Sequence, residues 1–145
     1  MRPRPWLHSS MQDLDPHTET LWDAFRRKHV KATPEEWVRQ DALRRVILDA
    51  GYPPASVAVE RAIQVNGMLR RFDIAIFFEG KLWMLIECKA DHIPLNDSVS
   101  DQWMRYNLST RAPWGAITNG REWQIFQADG PKSVPMLPPF GTFVL

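Results

Sequence analysis

The chain is 145 residues long, the size of one ordinary domain, and can bury a core without disulfide or metal staples. Hydrophobic residues make up 44% and charged residues 24%, the balance of a soluble globular protein. A formal net charge of only +1 argues against a strongly basic, free-standing DNA binder, while leaving room for a local basic patch.

Cys88 is the single cysteine, so no internal disulfide can form, which fits a reducing compartment. Four scattered histidines and one cysteine offer no zinc-ligand spacing. The opening MRPRPWLHSS lacks the apolar run of a signal peptide. The longest apolar runs, Ile74 to Phe78 and Leu82 to Ile86, are far too short to span a bilayer. These features predict a cytoplasmic protein. Seven Trp and seven Phe predict a core with large aromatic pieces or a face that meets a partner.

In chain order, residues 1–19, with Pro3, Pro5 and Pro16, read as an irregular arm, and irregular chain is expected to continue into a basic cluster. That cluster, Arg26, Arg27, Lys28, His29 and Lys31, reads as a solvated loop or strand end, with phosphate contact as the functional alternative. Thr33, Pro34 and Glu36 then mark a helix start: a cap, a first-turn proline and an acid three residues after the cap. Val38, Ala42, Leu43, Val46, Ile47 and Ala50 form an apolar stripe at helical spacing, and Gly51 and Pro53 end it.

Three strands are predicted next. Val57 to Val65 alternates in polarity, Asn66-Gly67 is a hairpin turn, Arg70 to Phe78 follows, and Glu79-Gly80-Lys81 turns into Leu82 to Lys89. Short connections imply an antiparallel meander. A second helix is expected over about Asp97 to Ser109, with Asn96, Asp97 or Ser98 as caps. Trp114 to Thr118 and Glu122 to Gln127 are two further strands, joined at Asn119-Gly120. The tail over 128–145, with Pro131, Pro135, Pro138 and Pro139, is expected to drape over the surface without regular structure. The order helix, three strands, helix, two strands describes one α/β domain with a mixed sheet flanked by helices and a core over about 20–127.

Side chains alternate faces along a strand. Arg71, Asp73, Ala75 and Phe77 are thus expected on one face of the second strand, and Trp83, Leu85, Glu87 and Lys89 on one face of the third. Pairing through the Glu79-Gly80 turn then lets Asp73 lie opposite the acid and the lysine. Charges beside an apolar LWMLI run must be paired or bind a metal. Paired carboxylates are hard-oxygen ligands suited to Mg²⁺, which can activate a water at a phosphodiester, while a lysine offsets the growing charge. The competing reading is a surface salt bridge from Lys89 to Asp73 or Glu87.

The ordered segments TPEEWVRQ (33–40), Val59-Glu60, Asn66-Gly67, RFDI (71–74), LIECKA (85–90), QWMRYN (102–107) and ITNG (117–120) resemble the PD-(D/E)XK nuclease superfamily. More narrowly, they are similar to the N-terminal nuclease domain of type I restriction enzyme R subunits and to small stand-alone proteins of that family. The resemblance covers roughly residues 20 to 127. It implies a restriction-endonuclease-like fold and a metal-dependent nuclease acting on DNA, with RNA as an alternative substrate and Mg²⁺ or Mn²⁺ as cofactor. It further implies Asp73 and Glu87 as metal ligands, with the Cys88 backbone carbonyl as a third oxygen and Glu36 as a further acid at the metal. Lys89 would position the attacking water or the phosphate. Gln102 and Tyr106, one helical turn apart, would contact nucleic acid or buttress the site. Phe72 stands where the superfamily name has proline. A catalytically silent module holding nucleic acid or a protein is the alternative. No GxxxxGK[ST] phosphate loop occurs, so ATP-driven translocation would need a partner that supplies the motor, and with it sequence recognition.

Several residues carry two readings. Glu36 serves equally as the far end of a capping box or as a metal-site acid, with Glu35 as its substitute. Glu60 reads as an ion-pair partner for Arg71 or an outer ligand, and Gln40 as a solvated position or part of the same cleft. Cys88 should be a buried small hydrophobe. His92 reads as an exposed loop residue, Trp103 and Trp123 as packing residues with base stacking as the alternative, and Asn119-Gly120 as a turn.

Overall fold

The computed structural model describes residues 14–15, 20–128 and 132–143, without the side chains of residues 14, 15, 100, 104–109 and 132. Three short strands, β1 (Leu14–Asp15), β2 (Thr20–Asp23) and β3 (Lys28–Lys31), form an antiparallel sheet of their own. The sequence predicts irregular chain through this stretch. Pairing of Leu21 with Val30 and of Trp22 with His29 instead makes a hairpin whose Leu21 is fully buried.

Helix α1 (Pro34–Arg44) begins as the sequence predicts. Thr33 caps it by accepting a 3.1 Å hydrogen bond from the Glu36 amide. The chain continues as one wider turn over Arg45–Asp49, closed by the Ala50 amide on the Arg45 carbonyl. A short 3₁₀ turn (Pro54–Ser56) leads into β4 (Val57–Val65), β5 (Met68–Phe78) and β6 (Lys81–Cys88). The meander is antiparallel as predicted, and its register sets Val65 opposite Met68 and Ile74 opposite Ile86. Helix α2 (Asp97–Thr110) crosses over to β7 (Trp114–Thr118), which pairs parallel to β6. Parallel neighbours require such a crossover. Strands β8 (Trp123–Gln127) and β9 (Lys132–Val134) complete a six-stranded mixed sheet in the order β4 to β9. The fold is therefore mixed α/β: two helices and a six-stranded sheet.

The two faces of the sheet carry different cores. On one, Val38, Ala42 and Leu43 of α1 and Val46 of the wider turn pack on Ile74, Ile76, Met84, Ile86 and Trp114. On the other, Trp103 of α2 packs with Phe72, Ala75, Leu85, Ile117 and Phe126. Each fully buried Leu or Ile contributes roughly 1.5–3 kcal/mol. The central strands are thus covered on both faces, by α1 on one and α2 on the other.

The C-terminal tail does not drape loosely. Its β9 extends the sheet, and the segment beyond straps the α1-side core. Phe140 stacks against Tyr52, Phe78 and Trp83, while the Trp83 and Trp114 indole N–H groups both donate to the Thr142 carbonyl. Gly141 allows this approach: its φ is +84°, and a Cβ there would sit 2.5 Å from Phe78 Cε2. Prolines leave few backbone donors, so the aromatic side chains supply the anchoring instead.

Candidate active site

Strict alternation fails at two points of the central pair. On β6, Phe77 of β5 faces Leu82 while Ile76 faces Met84, so Trp83 is the extra residue of a bulge. Trp83 consequently packs with Met84 and Ile86, not on the face of Leu85 as expected. On β5, Phe72 packs with Ala75 and Leu85, whereas Ile74 and Ile76 pack on the opposite face. Asp73 is the residue at that switch. It does not simply share a face with Ala75 and Phe77.

Its carboxylate lies between the layers. Oδ2 accepts the Cys88 amide at 2.8 Å, taking the place of a ladder carbonyl where the β5–β6 pairing ends. Oδ1 accepts Arg39 Nη2 at 2.7 Å. Asp73 thus joins the strand end to α1. The Ile74–Ile86 register makes Glu87 its cross-strand neighbour. Glu87 and Lys89 leave the end of β6 toward α2, with Lys89 Nζ 3.5 Å from Glu87 Oε1. The salt-bridge reading of Lys89 therefore holds for Glu87, at loose distance. Burial pushes the Glu87 carboxyl up to about 7, with the Asp73 charge next in weight and Lys89 acting the other way.

A cavity of about 240 Å³ opens beside this pair. Glu87, Lys89, Arg70, Arg71, Gln102 and Trp103 contribute to its wall. The predicted Gln102 is thus brought to the site, exposed on α2. The side chain of Tyr106 lies outside the described residues. Trp103 is buried against Phe72 at 5.9 Å between ring centroids, a packing residue.

On the α1 side, ion pairs link residues that the sequence kept apart. The Glu36 carboxylate accepts from Arg26, Arg39 and Gln40. It does not reach back to the cap, because the Thr33 amide already donates to the Lys31 carbonyl. The capping box is therefore half formed, and Glu36 is buried for another purpose. Gln40, expected to be solvated, is buried at 3% exposure and donates to Glu36 Oε1 at 3.1 Å. Glu60, held at φ +52°, meets Arg26 at 3.1 Å and Arg39 at 3.3 Å, with the expected Arg71 only at 4.0 Å. Arg26 also pairs with fully buried Asp23, which removes it from the solvated basic cluster. Arg27, Lys28, His29 and Lys31 stay exposed. Burial raises the Glu35 carboxyl, which lies 3.8 Å from Arg39.

Arg39 is the main residue that sequence reasoning missed, and Arg26 is an ion-pair partner of Asp23, Glu36 and Glu60 where a solvated or phosphate-contacting residue was expected. The one signal for Arg39 was its place three residues after Glu36 on α1, and nothing local pointed to Asp73. Cys88 is buried, and burial pushes its thiol up, as expected of a structural cysteine. His92 is exposed beside Asp91 and lines a second, wider cavity with Lys31, Thr33, Glu35 and Arg39. Asn119 makes the predicted turn, accepting the Arg121 and Glu122 amides and donating to the Ile93 carbonyl. Trp123 is half-buried, with Arg45 over its ring at 5.8 Å.

Among the described residues, no three Asp, Glu, His or Cys side chains converge as a metal cage. The donor chemistry nevertheless suits a hard divalent cation at two carboxylates. Asp73 and Glu87 adjoin, and the Asp73 charge raises the cost of ionising Glu87, a cost that a bound cation would offset. The family model described as the type I restriction enzyme R protein N terminus (HSDR_N) matches residues 34–138. The chain belongs to this family. The matched span runs from the first residue of α1 past β9, so it contains every residue of both charge clusters except Asp23 and Arg26. No curated protein and no solved structure was found to match. No described helix is long and apolar enough to cross a membrane.

Proposed function

We propose that this R-protein N-terminal family member is a PD-(D/E)XK-type nuclease domain that hydrolyses phosphodiester bonds in DNA with Mg²⁺ or Mn²⁺. The observation that carries the reading is the Asp73–Glu87 neighbour pair at the open end of β5 and β6, with Lys89 two residues on and a cavity alongside. Asp73 and Glu87 would hold the ion. In a strand the N–H and C=O of one residue point to the same side, so the Cys88 amide contact to Asp73 supports the Cys88 carbonyl as a third oxygen for the ion. The ion supplies an activated water and charge stabilisation at the phosphate.

The chain's own groups do the rest. Lys89 orients the water or the scissile phosphate and offsets the charge that builds on it. Gln102, across the cavity, positions the nucleic-acid strand, with Tyr106 as its companion on α2. Glu36, Glu60 and Gln40 act indirectly in this reading, by holding Arg39 and through it Asp73. Residues 1–145 are read as one domain working in the cytoplasm, with any motor and sequence recognition coming from a protein partner.

The test is cleavage of single-stranded DNA, duplex DNA and RNA with Mg²⁺ or Mn²⁺, comparing wild type with Asp73→Ala and Lys89→Ala. Loss of cleavage in both variants is expected; equal activity in all three proteins sinks the reading. The second reading is a silent binding module. It is favoured by the absence of a third converging carboxylate among the described residues and by the Arg39 contact on Asp73. Binding of nucleic acid without turnover, and without Mn²⁺ uptake in calorimetry, would select it.

A further inference from the structure

We infer that Arg39 is the resident counter-cation of Asp73 and sets how tightly this site takes up a divalent ion. The inference rests on the metal-site reading above and goes beyond it by assigning a role to a residue of α1.

Arg39 is buried at 5% exposure. Its Nη2 lies 2.7 Å from Asp73 Oδ1, 3.3 Å from Glu60 Oε1 and 3.8 Å from Glu35 Oε1, and its Nη1 pairs with Glu36. Since the Cys88 amide takes Asp73 Oδ2, both oxygens of Asp73 are engaged. Among the described residues the linked cluster contains Asp23, Glu35, Glu36, Glu60 and Asp73 against Arg26 and Arg39, with Arg71 at its rim 4.0 Å from Glu60, a formal excess of negative charge. Arg39 thus partly neutralises a cluster that attracts further positive charge. Its Nε is buried without a hydrogen-bond partner among the described residues, so the guanidinium is held through its Nη atoms alone. A fully satisfied structural strut would use all three nitrogens.

A divalent ion at Asp73 and Glu87 must share Asp73 with this guanidinium. The two cations repel, and one unit charge a few ångströms from a divalent ion alters affinity by about ten-fold or more even at water's dielectric constant. Arg39 therefore keeps Asp73 ordered before the metal arrives and weakens metal binding in return. The opposite outcome is also physical: if Arg39 only orients Asp73 for the metal, its loss weakens binding.

Calorimetric titration with Mn²⁺ on wild type and Arg39→Gln separates the two. The expected result is Mn²⁺ binding about ten-fold tighter in Arg39→Gln, with a larger Mn²⁺-induced rise in melting temperature than in wild type. Equal or weaker binding in the variant overturns the inference and leaves the metal site standing. Binding by neither protein overturns the metal site and the inference with it. Should Arg39→Gln fail to fold, Mg²⁺ titration of ¹⁵N-labelled wild type decides the matter. The Arg39 Nε–H resonance, assigned by its loss in Arg39→Lys, is expected to move in step with Mg²⁺ binding. A resonance that stays put while Mg²⁺ binds overturns the inference.

Discussion

The two sides of the β5–β6 strand end treat charge in opposite ways. On the α1 side, Glu36, Arg39 and Asp23 are buried and multiply paired, and Asp73 keeps little exposure. On the α2 side, Glu87 and Lys89 stand half-open beside a cavity, 3.5 Å from each other. Buried charge survives when every partner is in place; removing one partner leaves the rest uncompensated. Loosely paired charge beside a cavity costs less structure and remains available to a ligand. The α1 side is therefore the frame that holds Asp73, and the α2 side presents the groups that meet a substrate.

The sharpest way to break this contrast is Glu36→Ala. It strips one acceptor from both Arg26 and Arg39 while leaving the Thr33 cap intact, because the cap uses the backbone amide. A loss of about 3–5 kcal/mol is expected in urea unfolding. A loss within experimental error would show that the buried network is not the frame.

Acidity probes the other side. Burial raises the folded-state pKa of Glu87 to about 7, above its ordinary 4.5. Folding then favours the protonated form, so Glu87 contributes stability below the ordinary carboxylate range and loses it as pH rises toward 7. Between about pH 8 and pH 5, wild type should gain on the order of 2 kcal/mol relative to Glu87→Gln, after allowance for partial exposure. Saturating Mg²⁺ should flatten that gain by holding Glu87 ionised. Parallel pH profiles for the two proteins without metal would contradict the assignment.

Lys89→Ala should leave stability within about 1 kcal/mol of wild type, as for a half-exposed pair, while abolishing cleavage. A large loss of stability would move Lys89 into the frame. The smallest effect concerns Cys88. In the folded protein a thiol reagent should label it far more slowly than in urea, because it is buried and its thiolate disfavoured. Rapid native labelling would mean that the strand end opens readily.

Much of this architecture is legible in the amino-acid order. Thr33-Pro34 and Asn66-Gly67 act on their own backbone neighbourhood, and the α1 start and the β4–β5 turn stand where they predict. The candidate pair Asp73 and Glu87 follows from a hairpin register that the short Glu79-Gly80 turn allows. The tail departs from expectation because proline content predicts lost backbone donors but not aromatic docking. Phe140 reaches Tyr52, Phe78 and Trp83 only once distant segments have packed together.

What the sequence by itself determined was the run of main elements from α1 to β8, the strand end bearing Glu87-Cys88-Lys89, and the family likeness those segments carry. These depend on local backbone preference and on polarity with a fixed period. Only the tertiary structure decided that Asp73 turns at a break in alternation, that Glu36 serves Arg26 and Arg39 instead of the cap, and that Arg39 reaches Asp73. Those partners come from α1, β4, β5 and the β2–β3 hairpin. A charge-pairing pattern among segments so far apart in sequence exists only after packing has chosen which side chains leave water together.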